Sequence, residues 1–324
     1  MAKPRATISV ALATYNGALH LEDQLNSIIN QTVAPTEVVI SDDGSSDDTL
    51  ALARRLLSAS NLKFQIIEHE FNKGFSCNFN SALMRTTGEI VFVCDQDDVW
   101  LPNKIEYFLA NANFEDFFLI MSDMTVVDRE LNVLLDSFLN STNIPESEYA
   151  YGCNMAIGRR LLDLALPVPH EFIQHDIWLS MLANLLNAKK ILPEPSILYR
   201  RHERNVTDKL AGQRESLREI ISSAQQFRAR MLERKKVQCI ALDRVQAARD
   251  AGYLSEDIAN KAQLELMQDL EISTARSSGS TFRRAMAPHH YFRLYANAGL
   301  SQFHLFKDTL LLNPLIQREP AKRW

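Results

Sequence analysis

The chain has 324 residues, 46% hydrophobic and 23% charged, with 10 Gly and 11 Pro, proportions that exclude a disordered, collagen-like or low-complexity polymer. Its formal charge of −5 argues against a general nucleic-acid binder, which needs a basic face to displace counterions from phosphates. Four cysteines (Cys77, Cys94, Cys153 and Cys239) lie far apart without a CxxC pair, which disfavours a disulfide scaffold and a zinc cluster and suits a reducing compartment. The length exceeds the roughly 250–300 residues at which one core stops growing, so one large domain plus an appendage is expected. The N-terminal MAKPRATISVALATYNG lacks the apolar core of a signal peptide, and the longest greasy stretch, Phe117 to Met121, is cut by Ser122 and Asp123. Neither signal-directed export nor a membrane span is therefore expected.

From Thr7 to Ala13 the apolar residues Ile8, Val10 and Leu12 alternate, the period of a strand, and Asn16-Gly17 turns the chain. Leu21, Leu25, Ile28 and Ile29 then form one apolar helical stripe. Residues 37 to 41 read as a second strand. Beyond Asp42-Asp43-Gly44, Ser45 and Asp48 make a start like a capping box for a helix carrying Leu50, Ala53 and Leu57. Phe64 to Ile67 is a third strand and Asn80 to Arg85 a short helix. Gly88 leads into Ile90-Val91-Phe92-Val93-Cys94, an unbroken apolar run of the kind buried on both faces. This β-α-β-α-β-α-β order predicts an α/β fold with an open, mostly parallel, doubly wound sheet whose ligands sit beyond the carboxyl ends of its strands. Residues 118 to 208 read as mixed α/β, with a strand at Leu119-Ile120-Met121, a helix from about Ile177 to Asn187 and a short strand near Ile197-Leu198-Tyr199. Beyond about Lys209 the pattern is all helical, including Leu217, Ile220, Ile221 and Ala224, and then Ser255 to Ile272 behind a Ser255 cap. A boundary near 208 divides a catalytic domain, 1–208, from a helical region, 209–324.

Polar residues concentrate where the fold rule places ligands. Tyr15-Asn16 follow the first strand, Asp42-Asp43 end the second, and Asp95, Asp97 and Asp98 follow the apolar run, so several carboxylates converge on one edge and repel unless something positive sits between them. Cys94-Asp95-Gln96-Asp97-Asp98-Val99-Trp100 admits two readings. One is an acidic turn capping a helix that Pro102 opens. The other is a site for Mg²⁺ or Mn²⁺, held by oxygen ligands and completed by a diphosphate. Asp42-Asp43-Gly44-Ser45 is a turn, or a carboxylate placed to accept from a base or ribose. Asp176 in Gln174-His175-Asp176-Ile177-Trp178 is a helix cap or a general base. His202 in Tyr199-Arg200-Arg201-His202 is structural, exposed or a ligand. No two glycines stand at GxG spacing and there is no GxxxxGK[ST], which disfavours a dinucleotide-binding dehydrogenase and a P-loop NTPase.

Taken in order, VALATYNG (10–17), SDDGSSDD (41–48), NKGFSCNF (72–79), CDQDDVWLPNK (94–104), GCNM (152–155), HDIW (175–178) and YRRHERNV (199–206) resemble the family-2 glycosyltransferases, and the DQDDVWLPNK form with the later HD and YRxHxxNV elements is most similar to bacterial rhamnosyltransferases. The resemblance spans about residues 7 to 208. It implies a GT-A fold and inverting transfer from a nucleotide-diphospho-sugar, with dTDP-rhamnose the favoured donor, to a glycan or lipid-linked acceptor in bacterial surface polysaccharide synthesis. By position, it implies that Ala13 and Tyr15 line the nucleotide pocket, that Asp43 binds the base, and that Asp95 and Asp97 hold ribose and metal, with Asp97 the direct ligand. His202 matches an occasional late histidine ligand and Asp176 the catalytic base. Asp98 extends the cluster, to cap the next helix or to approach the donor sugar.

From Arg283 to Trp324 seven basic residues face two acidic ones among many aromatics. Such a segment either meets an anionic membrane surface, giving a cytoplasmic protein peripheral at the inner face, or packs on the catalytic domain or a second subunit. Two rival functions remain. A nucleotidyltransferase making an activated sugar needs a glycine-rich, basic phosphate loop near its first strand, where this chain has Tyr15-Asn16-Gly17-Ala18. A non-catalytic glycan-binding module has no need of the acidic residues.

Overall fold

Continuous apolar runs flanked by helices can be buried only at the centre of a sheet covered on both faces, and the two most apolar runs lie there. A computed structural model describes residues 6–111, 113–114, 119–142, 144–170, 174–202 and 217–277. In it β1 (Ile8–Thr14) and β4 (Ile90–Cys94) are adjacent, parallel and buried at every residue. β2 (Glu37–Asp42) lies parallel on the other side of β1, and β3 (Lys63–Glu68) forms the largely exposed edge. The sheet continues from β4 through β8 (Met155–Gly158), β6 (Leu119–Val127) and β9 (Lys189–Arg200) to β5 (Val99–Trp100), with β7 (Val133–Leu135) paired to β6. Both pairings of β8 are antiparallel and that of β6 with β9 is parallel, so the sheet is mixed.

The helices bury the stripes the sequence sets out. In α1 (Leu21–Ile29) these are Leu21, Leu25 and Ile28, and in α2 (Thr49–Ala59) Ala53 and Leu57. α3 spans Phe75–Leu83, five residues earlier than expected, because Gly74 at φ +91° makes the turn that starts it. α4 (Lys104–Asn111) begins after Pro102, not at it. α6 (Arg159–Ala165) and α7 (His175–Leu185) are tied by the indole N–H of Trp178, which donates to the carbonyl of Ala165 at 2.9 Å.

Two strands are longer than their patterns imply. β6 runs to Val127, and β9 starts at Lys189 although Pro193 and Pro195 interrupt it. The register explains this: Ser122 pairs with Leu192 but Asp123 with Pro195, so Pro193 and Glu194 bulge out of the ladder, where a missing N–H costs nothing. Behind these strands Asn154 is a buried polar hub. Its Oδ1 accepts from Lys104 Nζ (3.0 Å), Ser122 Oγ (2.9 Å) and Ser196 Oγ (3.3 Å), and its Nδ2 donates to the carbonyl of Asp123 at 3.0 Å. A hydrophobic residue there would take one acceptor at once from an ammonium and two hydroxyls, leaving Lys104 the Cys153 carbonyl at 3.4 Å and the two serines each other at 2.6 Å.

The chain divides into two compact units, 1–212 and 213–324. In the second, α8 (Leu217–Asp250) and α9 (Glu256–Ser277) form a hairpin turned by Gly252 at φ +72°. Val237, Ala241, Val245 and Ala248 of α8, and Ala259, Ala262 and Leu266 of α9, are buried; four of the seven are alanines, which permits close approach. Ser255 caps α9, accepting the N–H of Ile258 at 3.4 Å. No helix among the described residues is long and apolar enough to cross a membrane. The basic aromatic segment from Arg283 onward lies outside the described residues, as does the tail of the YRRHERNV element beyond His202.

Gly88 sets the entry to β4: a Cβ there would lie 2.6 Å from the backbone nitrogen of Ser9. Gly88→Ala is expected to cost about 1–3 kcal/mol, as overpacking does. The shift of the urea unfolding midpoint measures it, and an unchanged midpoint would refute the close approach.

Candidate functional site

Because β1 pairs with β2 and β4 in parallel, the three chain segments leaving their carboxyl ends are neighbours, with Thr14 opposite Asp42 and Leu12 opposite Cys94. Ala13 is buried near the end of β1, whereas Tyr15 is about half exposed just beyond it. Asp42 is fully buried and satisfied: its Oδ1 accepts from Thr14 Oγ1 (2.7 Å) and Ser45 Oγ (2.6 Å), and its Oδ2 from the N–H of Ser45 (2.8 Å). Ser45 is thus committed to Asp42 and to the N–H of Asn16, and does not cap α2; the N–H of Thr49 is held instead by Asp47 Oδ1 at 3.1 Å. The sequence expectation of a capping box is corrected here.

Asp43 organises the turn into α3. Its Oδ1 accepts the N–H of Lys73 (2.8 Å), its Oδ2 that of Gly74 (2.9 Å), and its own N–H donates to the carbonyl of Thr14 (2.9 Å). A carboxylate oxygen offers two lone pairs, so each retains one for a ligand donor.

The segment after β4 is held from across the chain. The backbone N–H of Arg200 donates to Asp98 Oδ1 (2.9 Å), and its guanidinium donates to the carbonyls of Asp97 (2.8 Å) and Arg129 (2.7 Å) and to Asp23 Oδ2 (2.9 Å). Two residues further on, His202 Nε2 lies 2.9 Å from Asp97 Oδ2, and its ring stacks on His20 at 5.1 Å between centroids. Asp98 does not cap α4, which starts six residues later; it is fully buried, and its Oδ2 meets no donor within bonding geometry although the Cys153 thiol is beside it. Oxygens of Asp95 and Asp98 and the sulfur of Cys153 lie within 4.8 Å of one another.

Asp176 stands in the first turn of α7, with its Oδ1 accepting its neighbour Ile177's N–H at 2.8 Å. It packs beside Gly152, the residue before Cys153, and is the last of the charges that raise the Asp95 carboxyl. Beside it His175 is buried, stacked on Phe79 at 4.0 Å, with neither ring nitrogen hydrogen-bonded. A Cβ on Gly152 would lie 2.7 Å from His175 Nε2 and 3.6 Å from the Asp176 Cβ, so only glycine fits at that contact. The structure therefore brings Asp95, Asp97, Asp98, Asp176 and His202 together, and sets Asp43 at the same sheet edge through Thr14. Sequence reasoning missed Arg200, Gln96 and Cys153. All three stood inside recognised motifs, but nothing in a linear pattern says that an arginine spends its donors on main-chain carbonyls.

Crowding shows in the acid–base properties. Burial, reinforced by the charges of Asp97, Asp98 and Asp176, pushes the Asp95 carboxyl well above the ordinary carboxylate range. Burial and Asp97 push Asp98 up to about 8, and burial brings the Lys104 ammonium down to about 8. Between about pH 4 and 8 folded Asp98 holds a proton that the unfolded chain has released, so its contribution to stability is complete below pH 4 and disappears as the pH rises through 8. Asp98→Asn is expected to flatten this decline by up to about 1.4 kcal/mol per pH unit. Urea midpoints from pH 5 to 8 measure it, and parallel curves for the two proteins would show that Asp98 does not titrate there.

A donor set of carboxylate oxygen and imidazole nitrogen fits a divalent cation. Octahedral ligands at 2.0–2.1 Å from a metal are about 3 Å apart, close to the 2.9 Å between Asp97 and His202. Residues 9–144 match the family model described as glycosyl transferase family 2. An uncharacterized glycosyltransferase of Nostoc sp. is 33% identical over 121 residues, 37% of each chain. The E. coli protein WfgD, a UDP-Glc:alpha-D-GlcNAc-diphosphoundecaprenol beta-1,3-glucosyltransferase, is 24% identical over 180 residues, 54% of this chain and 69% of that one. A GalNAc(5)-diNAcBac-PP-undecaprenol beta-1,3-glucosyltransferase of Campylobacter jejuni is 31% identical over 106 residues, 33% of this chain and 34% of that one. The matches thus span little more than a third of the Nostoc and Campylobacter relatives' length. Among solved structures, S. aureus TarS 1-349 in complex with UDP superposes with a TM-score of 0.53 at 18% identity, covering 98% of this chain and 93% of that one. The mixed sheet with its flanking helices is a GT-A fold, and the matches together support a family-2 glycosyltransferase.

Proposed function

We propose that the protein is an inverting, cation-dependent glycosyltransferase that moves a sugar from a nucleotide-diphospho-sugar to a glycan or lipid-linked acceptor in surface polysaccharide synthesis. What supports this reading is the gathering of Asp95 and Asp97 after β4, Asp176 on α7 and His202 after β9, residues far apart in the chain, with His202 Nε2 2.9 Å from Asp97 Oδ2 and the Asp176 charge felt at Asp95. Tyr15 and Ala13 line the nucleotide side, and Asp43 offers the base its remaining lone pairs. Asp95 faces the ribose and Asp97 with His202 holds the cation. A bound divalent ion supplies positive charge to the departing diphosphate. A nitrogen ligand favours Mn²⁺ over the harder Mg²⁺.

An acceptor hydroxyl is a poor nucleophile. Asp176 removes its proton as the oxygen attacks the anomeric carbon, a contribution of roughly 10²–10⁴-fold. The bond to the diphosphate breaks as the new glycosidic bond forms on the opposite face, so the anomeric configuration inverts and no covalent enzyme intermediate arises. The lipid-linked acceptors and UDP-glucose named for relatives support this substrate class. Rhamnose carried on dTDP rests on the form of the DQDDVWLPNK, HD and YRxH motifs alone. A panel of UDP- and dTDP-sugars, assayed for release of the nucleoside diphosphate, decides between donors.

Asp97→Asn and Asp176→Asn are each expected to abolish transfer while leaving the unfolding midpoint near that of the native chain; turnover like that of the native protein in either would remove its assigned role. EDTA is expected to stop transfer and Mn²⁺ to restore it, whereas full activity in chelator would defeat the cation reading.

A further inference from the structure

The middle residue of Asp95-Gln96-Asp97 makes a two-point contact with the first strand's exit loop. Gln96 Oε1 accepts the backbone N–H of Tyr15 at 2.8 Å, and Gln96 Nε2 donates to the carbonyl of the same residue at 3.1 Å. The amide thus pairs with Tyr15 as a neighbouring strand would, using one side chain. The same contact explains Gly17. A Cβ there would lie 2.1 Å from Gln96 Oε1 and 2.5 Å from its Cδ, so any larger residue evicts the amide. The rest of the loop is fastened independently, Asn16 N–H to Ser45 Oγ (2.9 Å) and Gly17 N–H to Thr49 Oγ1 (2.8 Å), leaving Tyr15 to depend on Gln96.

We propose that Gln96 is a positioning residue that fixes the Tyr15 wall of the nucleotide pocket to the Asp95–Asp97 segment, with Gly17 conserving the space it occupies. This rests on the glycosyltransferase reading above. Of the two halves of the carboxamide, the donor half cannot be replaced by a carboxylate, because Gln96→Glu sets a second oxygen against the Tyr15 carbonyl. Gly17→Ala acts through the same contact, so its effect vanishes once the amide is gone.

The test uses the full chain with UDP and Mn²⁺, and dTDP as a second probe, by titration calorimetry. Gln96→Ala, Gln96→Glu and Gly17→Ala are each expected to weaken nucleotide binding about tenfold, as the loss of two modest hydrogen bonds would. The double variant Gln96→Ala/Gly17→Ala is expected to bind as Gln96→Ala does, the non-additivity that marks a shared contact. Hydrogen exchange at the Tyr15 amide, without ligand, is expected to quicken in Gln96→Ala. Unchanged exchange there overturns the clamp whatever the protein binds, and so does nucleotide affinity unchanged by Gln96→Ala, or a double variant weaker than Gln96→Ala by the whole Gly17→Ala penalty. A native chain that binds neither nucleotide, with Tyr15 exchange still faster in the variant, instead overturns the nucleotide-sugar reading and with it the role of the clamp in binding.

Discussion

Acidic side chains crowded at the end of a buried strand govern this molecule. Asp95, Asp97 and Asp98 fill three of the four positions after a buried strand, and Asp176 acts on Asp95 from α7. Repulsion of this kind is tolerated only where the fold fixes the groups from outside or a positive charge enters between them. The chain's own cations are largely committed elsewhere. The Arg200 guanidinium serves two carbonyls and Asp23, and Lys104 Nζ serves Asn154 and the carbonyl of Cys153. They hold the backbone around the carboxylates in place and leave the carboxylates' charge to be met by protonation or by an incoming ion.

The acidic residues at the sheet edge accordingly fall into two kinds. Asp42 and Asp43 accept from main-chain N–H groups or hydroxyls at both oxygens, as Asp123 does in accepting from Met124 and Leu139 N–H groups and the Ser137 hydroxyl. These carboxylates hold the backbone by local hydrogen bonding to a charged acceptor, and Asp43 keeps a lone pair on each oxygen beyond that task. Asp95 is raised in pKa by burial and by Asp97, Asp98 and Asp176, Asp98 by burial and by Asp97, and Asp97 meets an imidazole. That difference in partners, and not the count of acids, distinguishes the place where a ligand charge belongs.

The order of strands and helices to Cys94 could be read from the sequence because period and burial coincide there: Ile8 to Leu12 alternates, and residues 90–94 are apolar throughout. The second half of the sheet was harder. β8 is four residues long, β5 only two, and β9 carries two prolines, Pro193 on a bulge and Pro195 paired with Asp123. The convergence of Asp95, Asp97, Asp176 and His202 was legible through motif order, since no spacing links residues about a hundred positions apart. Asp98 illustrates the limit. Its place in an acidic run suggested a helix cap, but whether a carboxylate points out at a helix or in at a thiol depends on β5, which turns the chain inward to pair with β9.

Unsatisfied buried atoms in the first unit cluster with meaning. Asp98 Oδ2, both nitrogens of His175, Asn78 Oδ1 and Trp100 Nε1 are buried without a hydrogen-bond partner, on residues in or next to the segments that form the site, and Gln24 Oε1 in α1 is the remaining one among the described residues of that unit. Each such group costs of the order of 1–3 kcal/mol relative to a paired one. Apolar replacements of similar shape would relieve that cost, phenylalanine for His175 above all, given its stack on Phe79. A chain that packs Ile, Leu and Val so completely through β1 and β4 has no difficulty building an apolar contact. The polar groups therefore stand where the fold accepts a local loss, and the satisfied hub at Asn154 and the strap of Arg200 offset it a few residues away.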